Sequence, residues 1–178
     1  MKIKALLAVL TCGIFVGCSS VSIEDFKDNK PEFIPQEYFN GKMKAYGIVK
    51  DRTGKIIRSF KGDLVGSWDA DGVGTLDEHF VYNDGEELDR VWKLRPTNNA
   101  KEFSATAGDI VGVAPMVANG NTVMIDYTML VPYGQSTIEV NVRDWLHLQE
   151  DGVIINHSKM KKFGFEVGEL VITIIKER

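Results

Sequence analysis

Cysteine is almost missing from this 178-residue chain: the two present, Cys12 and Cys18, both fall near the N-terminus. The body of the chain therefore offers no thiol for a disulfide framework, a thiolate nucleophile or a zinc–cysteine site, whatever the redox compartment. Histidine is scarce as well. His79, His147 and His157 form no H-x-H or H-E-x-x-H spacing, so no metal site is expected. There is no basic tract and no Arg-rich helical segment, and 25 acidic residues outnumber 21 basic ones. That balance excludes nucleic acid as an expected partner and speaks against electrostatic docking of the whole body on anionic lipid. Long apolar runs are absent too. The longest, Ala5 to Val16, falls well short of the ~20 residues needed to cross a ~30 Å hydrocarbon core.

The N-terminus instead carries Lys2 and Lys4, then the apolar run, then Phe15-Val16-Gly17-Cys18-Ser19-Ser20. Basic residues, a short greasy segment and small residues before a cut site are the parts of an export signal. With a cysteine at that site it resembles a bacterial lipoprotein signal, in which the thiol receives a diacylglycerol, the preceding bond is cut and the new amino terminus is acylated. This divides the chain into a signal peptide at 1–17, a lipidated tether at 18–37 and a folded domain at 38–178. The alternative is an uncleaved interfacial anchor. Two or more acyl chains hold a protein stably where one binds marginally, so the expected partner is a membrane, through acyl chains on Cys18. Ser19 stands where an aspartate would signal retention at the inner membrane, which favours the outer membrane, facing the periplasm. Removing Lys2 and Lys4 from the 21 basic residues against 25 acidic ones leaves a mature net charge of −6.

The mature length suits one domain with a real core. The polar stretch up to residue 37 holds Pro31 and Pro35 without a sustained period, as a tether would. From Lys42 on, strand-like runs are broken by turn chemistry about every 8–12 residues, the pattern of an all-β sandwich or barrel. Strands are expected at 43–50, 56–68, 74–82, 88–94, 102–107, 110–117, 123–131, 137–147, 153–160 and 166–176, with no amphipathic helix of three turns. Asp84-Gly85, Asn119-Gly120 and Asp151-Gly152 are hairpin turns, because these residues accept a positive φ. Val123, Ile125 and Tyr127 fall on one face of their strand and Met124, Asp126 and Thr128 on the other; Ile138, Val140 and Val142 likewise oppose Thr137, Glu139 and Asn141. One dry face per strand and successive hairpins predict an antiparallel up-and-down barrel of about 8–10 strands, closed so that no edge remains.

The chain also resembles a bacterial lipoprotein family known as domain of unknown function 3833. The likeness rests on Asp144-Trp145-Leu146, on Asn156-His157-Ser158-Lys159-Met160-Lys161-Lys162-Phe163-Gly164 and on Gly168-Glu169. Supporting stretches are Tyr38-Phe39-Asn40-Gly41, Asp51-Arg52-Thr53-Gly54, Gly66-Ser67-Trp68, Phe80 through Trp92 and Gly108 through Pro132. His157 departs from the family pattern, which has an arginine after the asparagine. The resemblance implies a lipocalin-like barrel on a lipid anchor, with no established activity.

Asp69-Ala70-Asp71-Gly72-Val73-Gly74-Thr75-Leu76-Asp77 looks like a calcium loop but has Val73 at its fifth position and Phe80 at its twelfth, so a polar hairpin is expected there. Gly108 to Gly112 follow no strand into a helix, which rejects a dinucleotide loop and points to curvature. Asp144 with His147 or His157 is the candidate catalytic group, the histidines being possible cross-strand neighbours and either a general base; the plainer reading is polar strand residues. Trp92, Tyr127, Trp145, Asn156, Lys159 and Lys162 are the candidate ligand-binding residues, at the mouth of a cavity or, alternatively, in a strand-pairing network. Glu86, Glu87, Asp89 and Arg90 read as a solvated rim. Met116, Met124, Met129 and Met160, with Phe80, Trp92, Phe103, Tyr127 and Phe165, supply material for a barrel interior, whether packed or hollow. No cofactor is implied. The expected function is binding of an apolar or amphipathic, lipid-derived small molecule in the barrel. The alternatives are an enzyme acting on envelope lipids through Asp144, His147 or His157, and a structural or assembly lipoprotein.

Overall fold

A computed structural model describes residues 20–177; the expected signal peptide at 1–17 and the expected lipidation site Cys18 lie outside the described residues. The described residues form ten antiparallel strands: β1 (Gly41–Asp51), β2 (Ile56–Trp68), β3 (Gly74–Tyr82), β4 (Glu87–Pro96), β5 (Glu102–Thr106), β6 (Ala114–Asn119), β7 (Thr122–Tyr133), β8 (Ser136–Leu148), β9 (Ile154–Lys162) and β10 (Phe165–Lys176). Each strand pairs with its neighbours in sequence, and β1 pairs with β10 from Met43↔Lys176 to Asp51↔Gly168, closing the barrel. The cause is visible in the sequence: period-2 alternation gives each strand one apolar face, and short turns return the chain beside the strand it has just left. Closure removes the free edges that a meander of this length would expose.

The sixth strand starts later than its apolar pattern suggests. Residues 107–113 form a loop in which Ile110 is buried but meets β7 only through one bridge to Met129. The loop turns Asp109 toward Arg90, and that ion pair takes the place of continued strand pairing. Two residues expected inside lie elsewhere: Met124 is on the outer face of β7, and Phe165 is exposed at the start of β10.

Residues 20–37, part of the segment 18–37 expected to be a tether, are packed on the barrel over most of their length. A short 3₁₀ turn (Ile23–Phe26), capped by Ser22, sets Phe26 against Trp145 and His147, at ring distances of 5.6 and 5.2 Å. The chain then crosses one end of the barrel. The Phe33 N–H donates to Gly120 O at 2.8 Å, and helix α1 (Pro35–Tyr38) leads to Phe39. Phe33 is only 2% exposed and Phe39 is buried, the two rings 5.5 Å apart. The apolar side chains in this polar segment drive the packing, since leaving two phenylalanines in water costs about 2–3 kcal/mol each.

The plug depends on Gly66. A Cβ there would stand 2.2 Å from Phe39 O, beside the Trp68 indole N–H that donates to the same carbonyl at 2.8 Å. Gly66→Ala must push the plug backbone off the barrel end. We expect a loss of about 2–4 kcal/mol, seen as a lower denaturant midpoint, with Ser67→Ala as a near-neutral control.

Candidate functional site

The inward faces of the strands divide the barrel into zones. At the plugged end Met43, Leu64, Met116, Val123, Leu148 and Ile154 are fully buried. Midway, the inward parity carries polar residues: Glu78 on β3, Arg90 on β4, Tyr127 on β7, Asp144 on β8, and Asn156 and Ser158 on β9. Toward the other end the interior is hollow. A cavity of about 220 Å³ is bounded by Phe60, Tyr82, Leu88, Met129, Met160 and Leu170 among others. A deeper cavity of about 80 Å³ lies against Glu78, Trp92, Asp144 and Asn156. Phe80, Arg90, Tyr127, Leu170 and Ile172 border both. Taken together they reach the low end of the ~300–1,000 Å³ usual for small-molecule sites.

The polar band is held by few contacts. Arg90 Nε donates to Asp109 Oδ2 at 3.0 Å, and the same guanidinium lies 5.9 Å from the Trp92 ring. Tyr127 packs edge-on to Trp92 at 5.5 Å and donates its hydroxyl to Asp144 Oδ2 at 3.1 Å. Ser158 Oγ donates to Asn156 Oδ1 at 3.1 Å. Asp144 is 7% exposed, and its Oδ1 finds no hydrogen-bond partner among the described residues. A buried acceptor left in that condition costs about 1–3 kcal/mol until a donor reaches it.

Burial also shifts the ionisation of these groups. It pushes Glu78 up to about 7, against the pull of the Arg90 charge and the Trp92 indole. Asp144 is raised by burial too, with the Ser158 and Tyr127 hydroxyls and Arg90 acting the other way. Tyr127 is driven well above its ordinary value by burial and by the Asp144 charge. For Arg90, burial opposes the charge, but Glu78, Tyr127 and Asp109 more than offset it. Perturbed groups gathered round a cavity are a mark of functional sites.

Of the residues singled out in the sequence, Trp92, Tyr127, Asp144 and Asn156 converge here. The others do not. Trp145 and His147 alternate with Asp144 and so stand on the outer face of β8, their rings stacked at 6.4 Å under Phe26. His147 Nδ1 meets Thr122 Oγ1 at 2.9 Å. His157 pairs with Trp145 across the sheet, diagonal to His147, and lies 3.7 Å from Glu169 on the outside. The Asp144–histidine pairing is thereby overturned: odd and even positions of β8 face opposite sides, and His157, opposite Trp145 on β9, shares the outer face. Lys159 points outward to Glu166 at 3.2 Å, and Lys162 stands at the barrel rim over the Phe163 ring at 4.8 Å. Arg90 is interior, not a solvated rim residue.

Glu78 and Arg90 were missed, although a signal existed. On the inward parity of β3, Glu78 interrupts Gly74, Leu76, Phe80 and Tyr82; on β4, Arg90 interrupts Leu88, Trp92 and Leu94. Among the described residues no group of three His, Cys, Asp or Glu could hold a metal ion. What the site can do chemically is receive an apolar body and meet its polar end with carboxyl, hydroxyl, amide and guanidinium groups.

A ten-stranded antiparallel meander closed on itself, with a cavity inside and polar residues at its floor, is a lipocalin-like barrel. The chain belongs to the family described as Protein of unknown function (DUF3833), whose model matches residues 12–176. Among solved structures it is similar to the S-type phycobiliprotein lyase CPES from Guillardia theta, with a TM-score of 0.60 at 10% identity, covering 89% of this chain and 94% of that one. It is also similar to Rv2717c from M. tuberculosis, with a TM-score of 0.56 at 13% identity, covering 85% of this chain and 100% of that one. At such identities the likeness is one of fold. No curated protein sequence matches the chain.

Proposed function

We propose that this protein is an outer-membrane lipoprotein, held by acyl chains on Cys18 and facing the periplasm, whose barrel binds an amphipathic small molecule of lipid origin. The observation that carries the reading is the roughly 220 Å³ apolar cavity, which shares lining residues with a smaller one against Asp144, whose Oδ1 is buried without a hydrogen-bond partner among the described residues. An apolar chain fills the outer cavity, where Met129 and Met160 adapt to its shape. A hydroxyl, amide or amine at its inner end donates to Asp144 and meets Glu78, Arg90 and Asn156. A ligand without a donor leaves Asp144 Oδ1 unpaired and binds more weakly, about ten-fold per 1.4 kcal/mol forgone. The similarity to a phycobiliprotein lyase barrel supports a fold able to take a small molecule. An enzymatic reading through Asp144 and a histidine loses its support, because the histidines lie outside the barrel.

Native mass spectrometry of the protein extracted from its own membrane tests this. A bound mass is expected for the wild type and none for Leu170→Trp, which fills the passage between the two cavities. Mild destabilisation of about 1–3 kcal/mol by overpacking is tolerable and is checked by melting. A barrel that is always empty and refuses a fluorescent fatty-acid probe overturns the proposal. The anchor is tested separately: Cys18→Ser is expected to move the protein from the membrane to the soluble fraction.

A further inference from the structure

The open end of the barrel has a composition that ligand binding does not explain. Three consecutive hairpins, β1–β2, β9–β10 and β7–β8, form one arc of the rim, because β1 pairs with β10 and β8 with β9. Their tips carry Ile56 and Ile57, Phe163 and Phe165, and Tyr133, all exposed; Phe163 is 85% exposed, Phe165 77% and Tyr133 70%. Large apolar side chains gathered at one edge mark a contact surface rather than scattered surface residues.

Phe163 is the most telling of them. It takes a φ of 52°, followed by Gly164 at 82°. That pair forms a tight hairpin turn whose first position normally holds asparagine, aspartate or glycine. A bulky residue there is strained by about 1–2 kcal/mol, and the strain serves no packing inside the protein.

The charges on the arc are biased. Arg52, Lys55, Lys161 and Lys162 all lie on it, and the Lys162 ammonium sits over the Phe163 ring. Two of its acids are engaged within the fold, Asp51 accepting from the Thr53 N–H at 2.8 Å and hydroxyl at 2.6 Å and Glu166 pairing with Lys159, which leaves Glu139 as an exposed acid beside the four basic residues. Next along the rim, the β3–β4 hairpin bears Asp84, Glu86 and Glu87 instead, the first two held by Arg58 of β2 at 2.7 and 3.0 Å.

The N-terminal segment runs toward this same arc. Phe26 lies on Trp145 and His147, and Ser20 and Val21 reach the groove bounded by Asn141 and Lys161, two residues from Phe163. Cys18 precedes Ser20 by two residues, a span of at most ~7 Å.

We propose that this arc docks on an anionic bilayer surface, its aromatic and aliphatic hairpin tips among the headgroups and the barrel mouth opening onto the acyl chains. The inference rests on the reading of Cys18 as a lipid anchor. Aromatic side chains flanked by lysines suit the interface, where the ring is half-buried and the ammonium stays wet. The acidic β3–β4 hairpin stays clear of the surface, so the barrel leans on its apolar arc. Ligand then passes between bilayer and cavity without crossing water.

The test uses the full, lipidated chain in vesicles of phosphatidylethanolamine with about one quarter phosphatidylglycerol. A single polarity-sensitive fluorophore is attached through Tyr133→Cys, and in a parallel sample through Asp71→Cys at the plugged end. The expected result is flotation of both proteins, with several-fold quenching by brominated lipids at position 133 alone. Phe163→Ser with Phe165→Ser, both at exposed tips, should abolish that quenching while the protein still floats and melts normally. A wild-type rim label that stays solvated on a floating protein overturns the docking and leaves the acyl anchor standing. A protein that does not float overturns both.

Discussion

Replacing Glu78 by glutamine is expected to raise the melting temperature at pH 8 by roughly 5–10 °C and to change it little at pH 5. Glu78 is enclosed in the barrel, and burial raises its pKa to about 7. In the unfolded chain it titrates near 4.5. Between those values the folded protein keeps a proton that the unfolded chain has released. The stabilising contribution is therefore complete below pH 4.5, falls as pH rises, and is gone above 7. Ionising this group inside the barrel costs on the order of 3 kcal/mol, which the uncharged amide avoids. Asp144, also raised by burial, slopes the same way, whereas His147, lowered by burial, slopes against it. The difference between wild type and Glu78→Gln isolates the one group. Chemical denaturation from pH 5 to 8 checks it: parallel curves for the two proteins would show that Glu78 is not buried as described.

Arg90→Met should be more damaging, by about 3–5 kcal/mol at pH 8, because it leaves buried acids without their counter-charge. Arg90 holds Asp109 at 3.0 Å, and its charge favours the ionised forms of both Glu78 and Asp144, pulling down carboxyls that burial raises. Its loss also frees the 107–113 loop, which is fixed to the barrel through Asp109. The loss should shrink toward pH 5, where Glu78 is protonated, and should be partly restored by a second change, Asp109→Asn. Those two features separate removal of a charge from mere loss of packing, and denaturant titration of the single and double variants reads both.

Much of the architecture could be read from the chain. Turn residues mark the strand ends, and Ile56–Trp68, Gly74–Tyr82 and the β8 and β9 runs fall where alternation places them. Part of the site could be read as well: Trp92, Tyr127, Asp144 and Asn156 meet inside. Strand parity, not proximity in sequence, places Glu78 and Arg90 inside the barrel and His147 and His157 outside it. Polar residues on the inward register were the available signal, and Glu78, Arg90, Asp144, Asn156 and Ser158 all obey it.

The amino-acid sequence alone determined the meander of strands and its all-antiparallel pairing, because local alternation and turn geometry act over a few residues. The tertiary structure decided which apolar residues pack and which line a cavity, since the same side chains serve both until closure fixes the space between them. It also decided that Phe33 and Phe39 plug one end of the barrel, and that Phe163, Phe165 and Tyr133 gather at the other. Those groupings join residues far apart in the chain, and only the closed ring of hydrogen-bonded strands brings them together.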